Sequence, residues 1–221
     1  MTFTGFDPDA VALLDQLSTW DAETYGAHKA QLGAGLTKPA AALIAQVADR
    51  LDAELTVAAR GSVSPLHNDL RFAGPGAPRY KDYAMMTTWE GDDKKTSPIL
   101  WIRIDAHRAG FASGIGFTPE VRDRWREAVG GDAGEALAEA IGALVDRRGA
   151  EVAGDQVKKV PSPWNADHPR ADLLRRTGFQ IRFVDDLPDS VGAPEFADWC
   201  VDHLDALLPV HRWLVANVTR G

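Results

Sequence analysis

Four basic side chains are the part of this sequence whose types and spacing are best suited to binding a ligand. Arg71, Arg79 and Lys81 lie within eleven residues that contain no acidic side chain. Arg103 follows on the polar face of a predicted strand. A guanidinium group binds a carboxylate or a phosphate through two parallel hydrogen bonds. The cluster therefore predicts a site for a small anionic ligand.

Aromatic side chains accompany these cations. Tyr80–Trp89 and Ile99–Asp105 are both typical of β-strands, and pairing of the two strands would bring cations and rings to one face of a sheet. Rings beside the cations can flank a planar ligand. The predicted ligand-binding residues are Arg71, Arg79, Tyr80, Lys81, Tyr83, Trp101 and Arg103.

An alternative role for the same cations is structural. Asp69, Asp82 and Asp105 are potential partners, and surface charge clusters are often paired or simply solvated. The two interpretations differ most at Arg71 and Lys81, which we expect to face one shared pocket if they bind a ligand. A salt bridge that locks Arg71 to Asp69 or Asp105 would indicate the structural role instead.

The histidines do not predict a metal site. The six histidines include no His-x-x-x-His or His-Glu-x-x-His pair, and one cysteine cannot form a thiolate zinc site. His203 and His211 share a predicted helix face but lie about 12 Å apart along its axis, which is too far for one ion. His67-Asn68-Asp69 can supply two ligands, although loop histidines seldom bind metal. We predict neither a metal nor a cofactor.

Motifs for covalent or phosphate chemistry are weak. Gly114-Ile115-Gly116 lacks the third glycine of a dinucleotide fingerprint, and Gly74-Pro75-Gly76 lacks the Gly-Lys-Ser/Thr ending of a phosphate loop. Cys200 lies on an apolar helix stripe, which favours inert packing. In Asp167-His168-Pro169 the imidazole can act as a general base, but its position favours a helix start. The sequence identifies no catalytic residue and leaves open whether the protein is an enzyme.

The elements that position these residues centre on a predicted hairpin, Ser97–Phe117. Alternating residues predict strands at Ile99–Asp105 and Phe111–Phe117. Tyr80–Trp89 precedes them, so we expect an antiparallel meander of these three strands in order. Strands cluster in the middle of the chain and helices at both ends, which favours an α+β fold whose N- and C-terminal helices cover the sheet. We expect residues 1–221 to form a single domain.

One face of the hairpin carries almost no side chains. Ala112, Gly114 and Gly116 alternate with larger residues in the second strand. A bare strand face lets a helix backbone or a ligand approach closely. Of the two, we favour a closely packed helix.

Capping residues and prolines predict the helix boundaries. Potential caps that precede helical patterns are Asp7, Asp21, Thr118 and Asp132. Pro39 and Pro209 predict breaks or kinks. Further short strands are predicted at Leu55–Arg60, Val157–Val160 and Gly178–Val184.

The composition is that of an ordinary globular protein in a reducing compartment. The chain has 221 residues and a net charge of −8, which disfavours nucleic acid as a partner. Cys200 is the single cysteine, so an intramolecular disulfide is excluded. The N-terminus has no signal-peptide pattern, and no stretch approaches the roughly 18 apolar residues of a membrane span. We expect a cytoplasmic monomer or homodimer without membrane contacts.

Two groups of short motifs resemble a family of single-domain proteins. The motifs occur in order over nearly the whole chain. The residues that carry the resemblance are Phe3-Thr4-Gly5-Phe6, His28-Lys29, Asp69-Leu70-Arg71-Phe72, Pro78, Tyr80-Lys81, Val157-Lys158-Lys159-Val160-Pro161, Asp167-His168-Pro169, Ala171-Asp172-Leu173-Leu174 and Phe179. The family is the conserved hypothetical proteins of domain of unknown function 2461. The resemblance implies a single α+β domain and brings no reaction with it.

The chain departs from the family pattern at two places. Trp20–Gly26 stands where members usually carry an asparagine-rich turn and a Trp-Phe pair. Ala73–Gly76, with an additional Arg79, replaces a loop similar to Ser-Lys-Asp-Lys. If that polar loop performs chemistry in the family, this chain has lost much of it.

Three functions remain as hypotheses from the sequence. The first is a binding protein, or an enzyme of unknown reaction, for a small ligand that carries a phosphate or a carboxylate. The second is a protein–protein interaction module that uses the bare strand face or the loop of Trp164. The third, nucleic-acid binding, is the least compatible with the net charge of −8.

Overall fold

The chain combines helices with an antiparallel sheet in a computed structural model that describes residues 2–51, 53–71 and 74–219. Within these residues the sheet has five strands: β1 (Ala84–Trp89), β2 (Ile99–Ile104), β3 (Arg108–Gly116), β4 (Glu151–Ala153) and β5 (Gly178–Asp186). Their order across the sheet is β1-β2-β3-β5-β4. The predicted α+β class is therefore confirmed.

Three neighbouring strands, from one edge of the sheet to its middle, form the predicted meander. β1, β2 and β3 are neighbours in this order, because each carries the alternation that a strand needs. β5 joins beside β3, and β4 pairs with β5 in antiparallel register, with Val152 opposite Ile181. The predicted strand Gly178–Val184 is thus the greater part of β5.

Nine α-helices lie in the described residues and flank the strands along the chain. Four come before β1: α1 (Pro8–Ala12), α2 (Leu14–Leu17), α3 (Ala22–Leu32) and α4 (Lys38–Arg50). The other five are α5 (Pro119–Gly130), α6 (Ala133–Arg148), α7 (Ala171–Leu174), α8 (Phe196–Asp205) and α9 (Leu208–Leu214). None of these helices combines the length and the apolar character that crossing a bilayer requires.

Side-chain caps begin three of the helices as predicted. Asp7, Asp21 and Thr118 each accept a hydrogen bond from a first-turn amide of α1, α3 and α5. Asp132 is itself in a helical conformation and makes no capping hydrogen bond, so the cap predicted for α6 is wrong.

Two predicted helix breaks are confirmed. A π-helical turn, Gly33–Thr37, separates α3 from α4, and a short turn separates α8 from α9. Pro39 and Pro209 are each the second residue of the helix that follows the break. At that position the missing N–H of proline forfeits no helical hydrogen bond.

Two of the predicted short strands are wrong. In Leu55–Arg60, Thr56 forms a single bridge and the flanking residues are irregular. Val157–Val160 is irregular as well, and the edge strand next to β5 is β4 instead. The Val157 amide donates to the carbonyl of Arg175 at 2.8 Å, which holds this segment against a turn and not against a strand.

The chain divides into two compact units. The first comprises Met1–Thr88, Trp101–Gly110 and Val184–Asp202, and the second comprises Trp89–Leu100, Phe111–Phe183 and His203–Gly221. The single domain expected from the sequence stays a prediction.

An aromatic cluster at the N-terminal segment anchors the first unit. Phe6 lies 5.2 Å from Phe3 and 5.9 Å from Phe196, measured between ring centroids. Between the two N-terminal rings, Gly5 adopts a positive φ of 112°, and a Cβ there would collide with the Gly192 carbonyl. The family motif at residues 3–6 therefore serves packing.

In the second unit, the segment before β5 is fastened to α5. The indole of Trp125 packs on Phe179 at 4.7 Å and donates to the carbonyl of Leu173 at 2.9 Å. The Arg170 guanidinium donates to the Val129 carbonyl at 2.6 Å and to a second carbonyl just beyond α5 at 2.9 Å. These contacts satisfy the end of α5, so this stretch of family motif also serves packing.

The neighbouring strand β5 approaches β3 very closely at Gly114. A Cβ added to Gly114 would lie 2.5 Å from the carbonyl oxygen of Phe179 and 3.0 Å from the Cα of Gln180, both in β5. Glycine is needed there because the backbones of β3 and β5 leave no room for a side chain. The helix predicted against the bare face of the hairpin stays a prediction.

We expect Gly114→Ala to lower the free energy of unfolding by about 1–3 kcal/mol, because backbone atoms of β5 must move to admit the methyl group. Urea denaturation measures the change. The control is Gly142→Ala in α6, where an added Cβ would meet no atom within 4 Å beyond the backbone of its own helix. That variant should be stabilised by up to about 1 kcal/mol. Equal stability of Gly114→Ala and the wild type would contradict the tight approach.

Candidate functional site

A surface pocket of about 190 Å³ lies at the turn between β2 and β3, within the first unit. Its lining is almost entirely charged. The residues are Asp15, Asp82, Arg103, Asp105, Ala106, His107 and Arg108. One member, Arg103, belongs to the ligand-binding set predicted from the sequence.

Asp105 builds the turn that forms this pocket. Its Oδ1 accepts the backbone amides of His107 at 2.9 Å and Arg108 at 2.8 Å. The amide of Leu187 also donates to the carbonyl of His107 at 2.8 Å. Such side-chain acceptance is the usual way in which aspartate fixes a turn. Asp105 therefore has a structural role as well as a place in the lining.

The Arg103 guanidinium is held by an aromatic ring. Its Cζ lies 4.0 Å from the ring centroid of Tyr83, a cation–π contact. Its Nη2 is 3.8 Å from Oδ1 of Asp82, and it forms no hydrogen bond with a described residue. The N–H donors of this guanidinium therefore have no hydrogen-bond acceptor among the described residues.

The ion pairs of the pocket are all long. A close pair between a charged N–H and a carboxylate oxygen measures about 2.7–2.9 Å, and the exposed pair of Arg71 and Asp69 has this length, 2.7 Å. The pocket distances are 3.8 Å for Arg103–Asp82, 3.7 Å for Arg108–Asp105 and 3.4 Å for His107–Asp15. The charged side-chain groups of the lining therefore form no short hydrogen bonds with one another.

Arg71 forms the salt bridge that the structural interpretation predicts. Its Nε and Nη2 donate to the two carboxylate oxygens of Asp69, at 2.9 and 2.7 Å. Both residues are exposed, and the hydrogen bonds from Arg71 lower the pKa of Asp69. The shared pocket of Arg71 and Lys81 stays a prediction.

Tyr80 and its two neighbours lie in a short antiparallel ladder. Tyr80 pairs with His67, and its buried ring stacks on Tyr25 with centroids 4.2 Å apart. Arg79 and Lys81 flank Tyr80, so alternation places them on the other side of the ladder. The Lys81 ammonium donates to a backbone carbonyl at 2.7 Å, and burial lowers its pKa. Tyr80 is therefore a packing residue.

The remaining predicted aromatic groups divide between packing and support. Trp101 is buried, and its ring lies 3.4 Å from the place of a Cβ on Gly110. Tyr83 supports Arg103, and these two are the predicted site residues that the structure brings into side-chain contact. Trp164, which the sequence suggests as an exposed recognition residue, is half-buried against Gly130.

Sequence reasoning missed most of the pocket. Asp15 comes from α2, far from the hairpin in sequence, so no local pattern indicates it. His107 and Arg108 lie between the two predicted strands of the hairpin, where the sequence predicted no site. The available signal is the segment Asp105-Ala106-His107-Arg108 between strands, because an aspartate at the start of such a segment is typical of a turn. No group of three or more His, Cys, Asp or Glu side chains within the described ranges is placed to hold a metal ion.

A buried polar chain in the second unit is a separate feature. Nδ1 of His211 lies 3.4 Å from Oγ of Ser113, and Nε2 lies 3.6 Å from Oε2 of Glu90. Burial and the charge of Arg212 lower the pKa of His211 to about 4, although the nearby carboxylate acts in the opposite direction. Ser113 is completely buried. We interpret the chain as structural, since its serine is closed to a substrate.

We expect the stability of the protein to fall between pH 6.5 and pH 4 because of His211. The pKa is 6.5 in the unfolded chain and about 4 when folded, so the unfolded state binds the proton first. The contribution lost between pH 7 and pH 5 is about 2 kcal/mol. Urea denaturation at both pH values should show that His211→Gln lacks this loss.

The matched control is His107→Gln, which changes an exposed histidine and leaves His211 in place. The loss due to the buried imidazole should persist in that variant. If His211→Gln and the wild type have the same pH dependence, burial of the imidazole is not its source.

The family model described as conserved hypothetical protein (DUF2461) matches residues 12–213. No curated protein matches the chain in sequence. The match takes in the pocket, the ladder around Tyr80 and the segment fastened to α5. The chain belongs to the DUF2461 family of conserved hypothetical proteins.

Proposed function

We propose that the protein binds a small molecule through a carboxylate, in the pocket at the turn between β2 and β3. The observation that carries the proposal is the state of Arg103. Its guanidinium lies 4.0 Å from the centroid of the Tyr83 ring, and its N–H groups form no hydrogen bond with a described residue. Arg108 lines the same pocket and offers a second guanidinium.

The size and charge of the pocket restrict the ligand. A volume of about 190 Å³ lies below the roughly 300–1,000 Å³ of sites for drug-sized molecules. The lining also contains Asp15, Asp82 and Asp105. A phosphate dianion would face these three carboxylates, so a singly charged carboxylate suits the pocket better.

The ladder around Tyr80, with Arg79 and Lys81, is a second candidate location for an anion. Arg79 and Lys81 lie on one side of the ladder, and neither forms an ion pair with a carboxylate in the described part of the chain. Arg71 differs, because Asp69 already occupies its guanidinium edge. A cytoplasmic location and a monomeric or homodimeric state stay predictions from the sequence.

We expect Arg103→Gln to weaken the binding of a small carboxylate about tenfold or more, since it removes a charge-assisted hydrogen bond of about 1.5–3 kcal/mol. Isothermal titration calorimetry with acetate, 3-hydroxypropanoate and succinate measures the loss. The control is Arg71→Gln, which removes the same charge from an exposed pair and should bind as the wild type does.

Equal weakening in Arg103→Gln and Arg71→Gln would indicate unspecific charge attraction and contradict the proposal. Weakening in Arg79→Gln and Lys81→Gln, with none in Arg103→Gln, would place the ligand at the ladder around Tyr80 instead. All of these side chains are at least partly exposed, so the melting temperatures of the variants should stay close to that of the wild type.

A further inference from the structure

We infer that the ligand of this pocket is a zwitterion of the amino-acid type, with an ammonium group close to its carboxylate. The inference rests on the proposed function and names its substrate class. The lining of the pocket contains three carboxylates and two guanidinium groups. A ligand with only a negative charge would satisfy the guanidinium groups and leave carboxylates facing its anion.

The three carboxylates are not equivalent. One carboxylate oxygen of Asp105 accepts hydrogen bonds from the amides of His107 and Arg108, so this residue stabilises the turn. Asp15 and Asp82 accept no hydrogen bond from any described residue, and the nearest basic groups, the imidazole of His107 and the guanidinium of Arg103, are 3.4 and 3.8 Å away. These two carboxylates are therefore acceptors without close donors.

An ammonium group fits this pair of acceptors. It carries three N–H donors, enough for Asp15, Asp82 and one water molecule. The guanidinium groups of Arg103 and Arg108, which line the same pocket, are matched to a carboxylate. A ligand with both groups pairs each charge with its opposite, whereas a simple acid or a simple amine pairs only half of them.

The pocket also limits the rest of the ligand. Ala106 supplies the one apolar side chain among its lining residues, so a large apolar substituent would desolvate charges without an apolar partner. The volume of about 190 Å³ equals that of about six water molecules in the liquid. Both points favour a small, polar amino acid.

The test compares matched probes on the full-length protein by isothermal titration calorimetry. Each amino acid is measured with its deaminated acid and its decarboxylated amine: glycine with acetate and methylamine, and L-serine with 3-hydroxypropanoate and ethanolamine. L-Glutamine with 4-carbamoylbutanoate and 4-aminobutanamide forms the third set. We expect at least one amino acid to bind about tenfold tighter than both of its partners.

Variants then identify the ammonium site. Asp82→Asn and Asp15→Asn should weaken the amino acid about tenfold while leaving binding of the matched acid unchanged or tighter. The control is Asp69→Asn, which removes an exposed carboxylate outside the pocket and should change neither affinity. Asp15 and Asp82 are exposed, so their variants should melt close to the wild type.

The outcomes separate the two claims. If acids bind as tightly as their amino acids and Arg103→Gln weakens both, the zwitterion is overturned and the carboxylate site stands. If amines bind as tightly as the amino acids and Arg103→Gln has no effect, the proposed function is overturned as well. Absence of binding by every probe overturns both.

Discussion

The close approach of β5 to β3 at Gly114 is the constraint on which the sheet depends. A side chain at this position would meet the backbone of Phe179 and Gln180, so β5 can lie beside β3 only because the position is bare. β4 has β5 as its neighbour at the edge of the sheet, and it therefore depends on the same contact. One missing side chain thus allows two strands to extend the meander that local sequence establishes.

In the pocket, the three aspartates have different roles. Asp105 satisfies backbone amides and shapes the turn, whereas Asp15 and Asp82 have no close donor. Charged groups at a protein surface are normally stabilised by water or by short ion pairs. Here both signs converge at distances of 3.4–3.8 Å, without the short contacts that would neutralise them.

Local features were predictable from the sequence, and features made by distant segments were not. The meander, the caps at Asp7, Asp21 and Thr118 and the breaks at Pro39 and Pro209 each depend on a few neighbouring residues. The pairing of Arg71 with Asp69 is also local, and the sequence offered it as one of two interpretations. The contribution of Asp15 to the pocket and the contact of β5 with Gly114 need chain segments to meet, which periodicity alone cannot indicate.

Each of the two units consists of segments that lie far apart in the sequence, which affects when the chain can fold during translation. Neither unit is a continuous stretch, since the first needs residues up to Asp202 and the second residues up to the C-terminal helix α9. During translation, the contact at the end of α5 can form only after Arg170 has been synthesised. The contact of Ser113 can form only after His211, 98 positions later, has been synthesised. Such non-local contacts slow folding. Neither unit can therefore close until residues beyond position 200 have been synthesised, and a chain truncated before α9 would lack part of the second core.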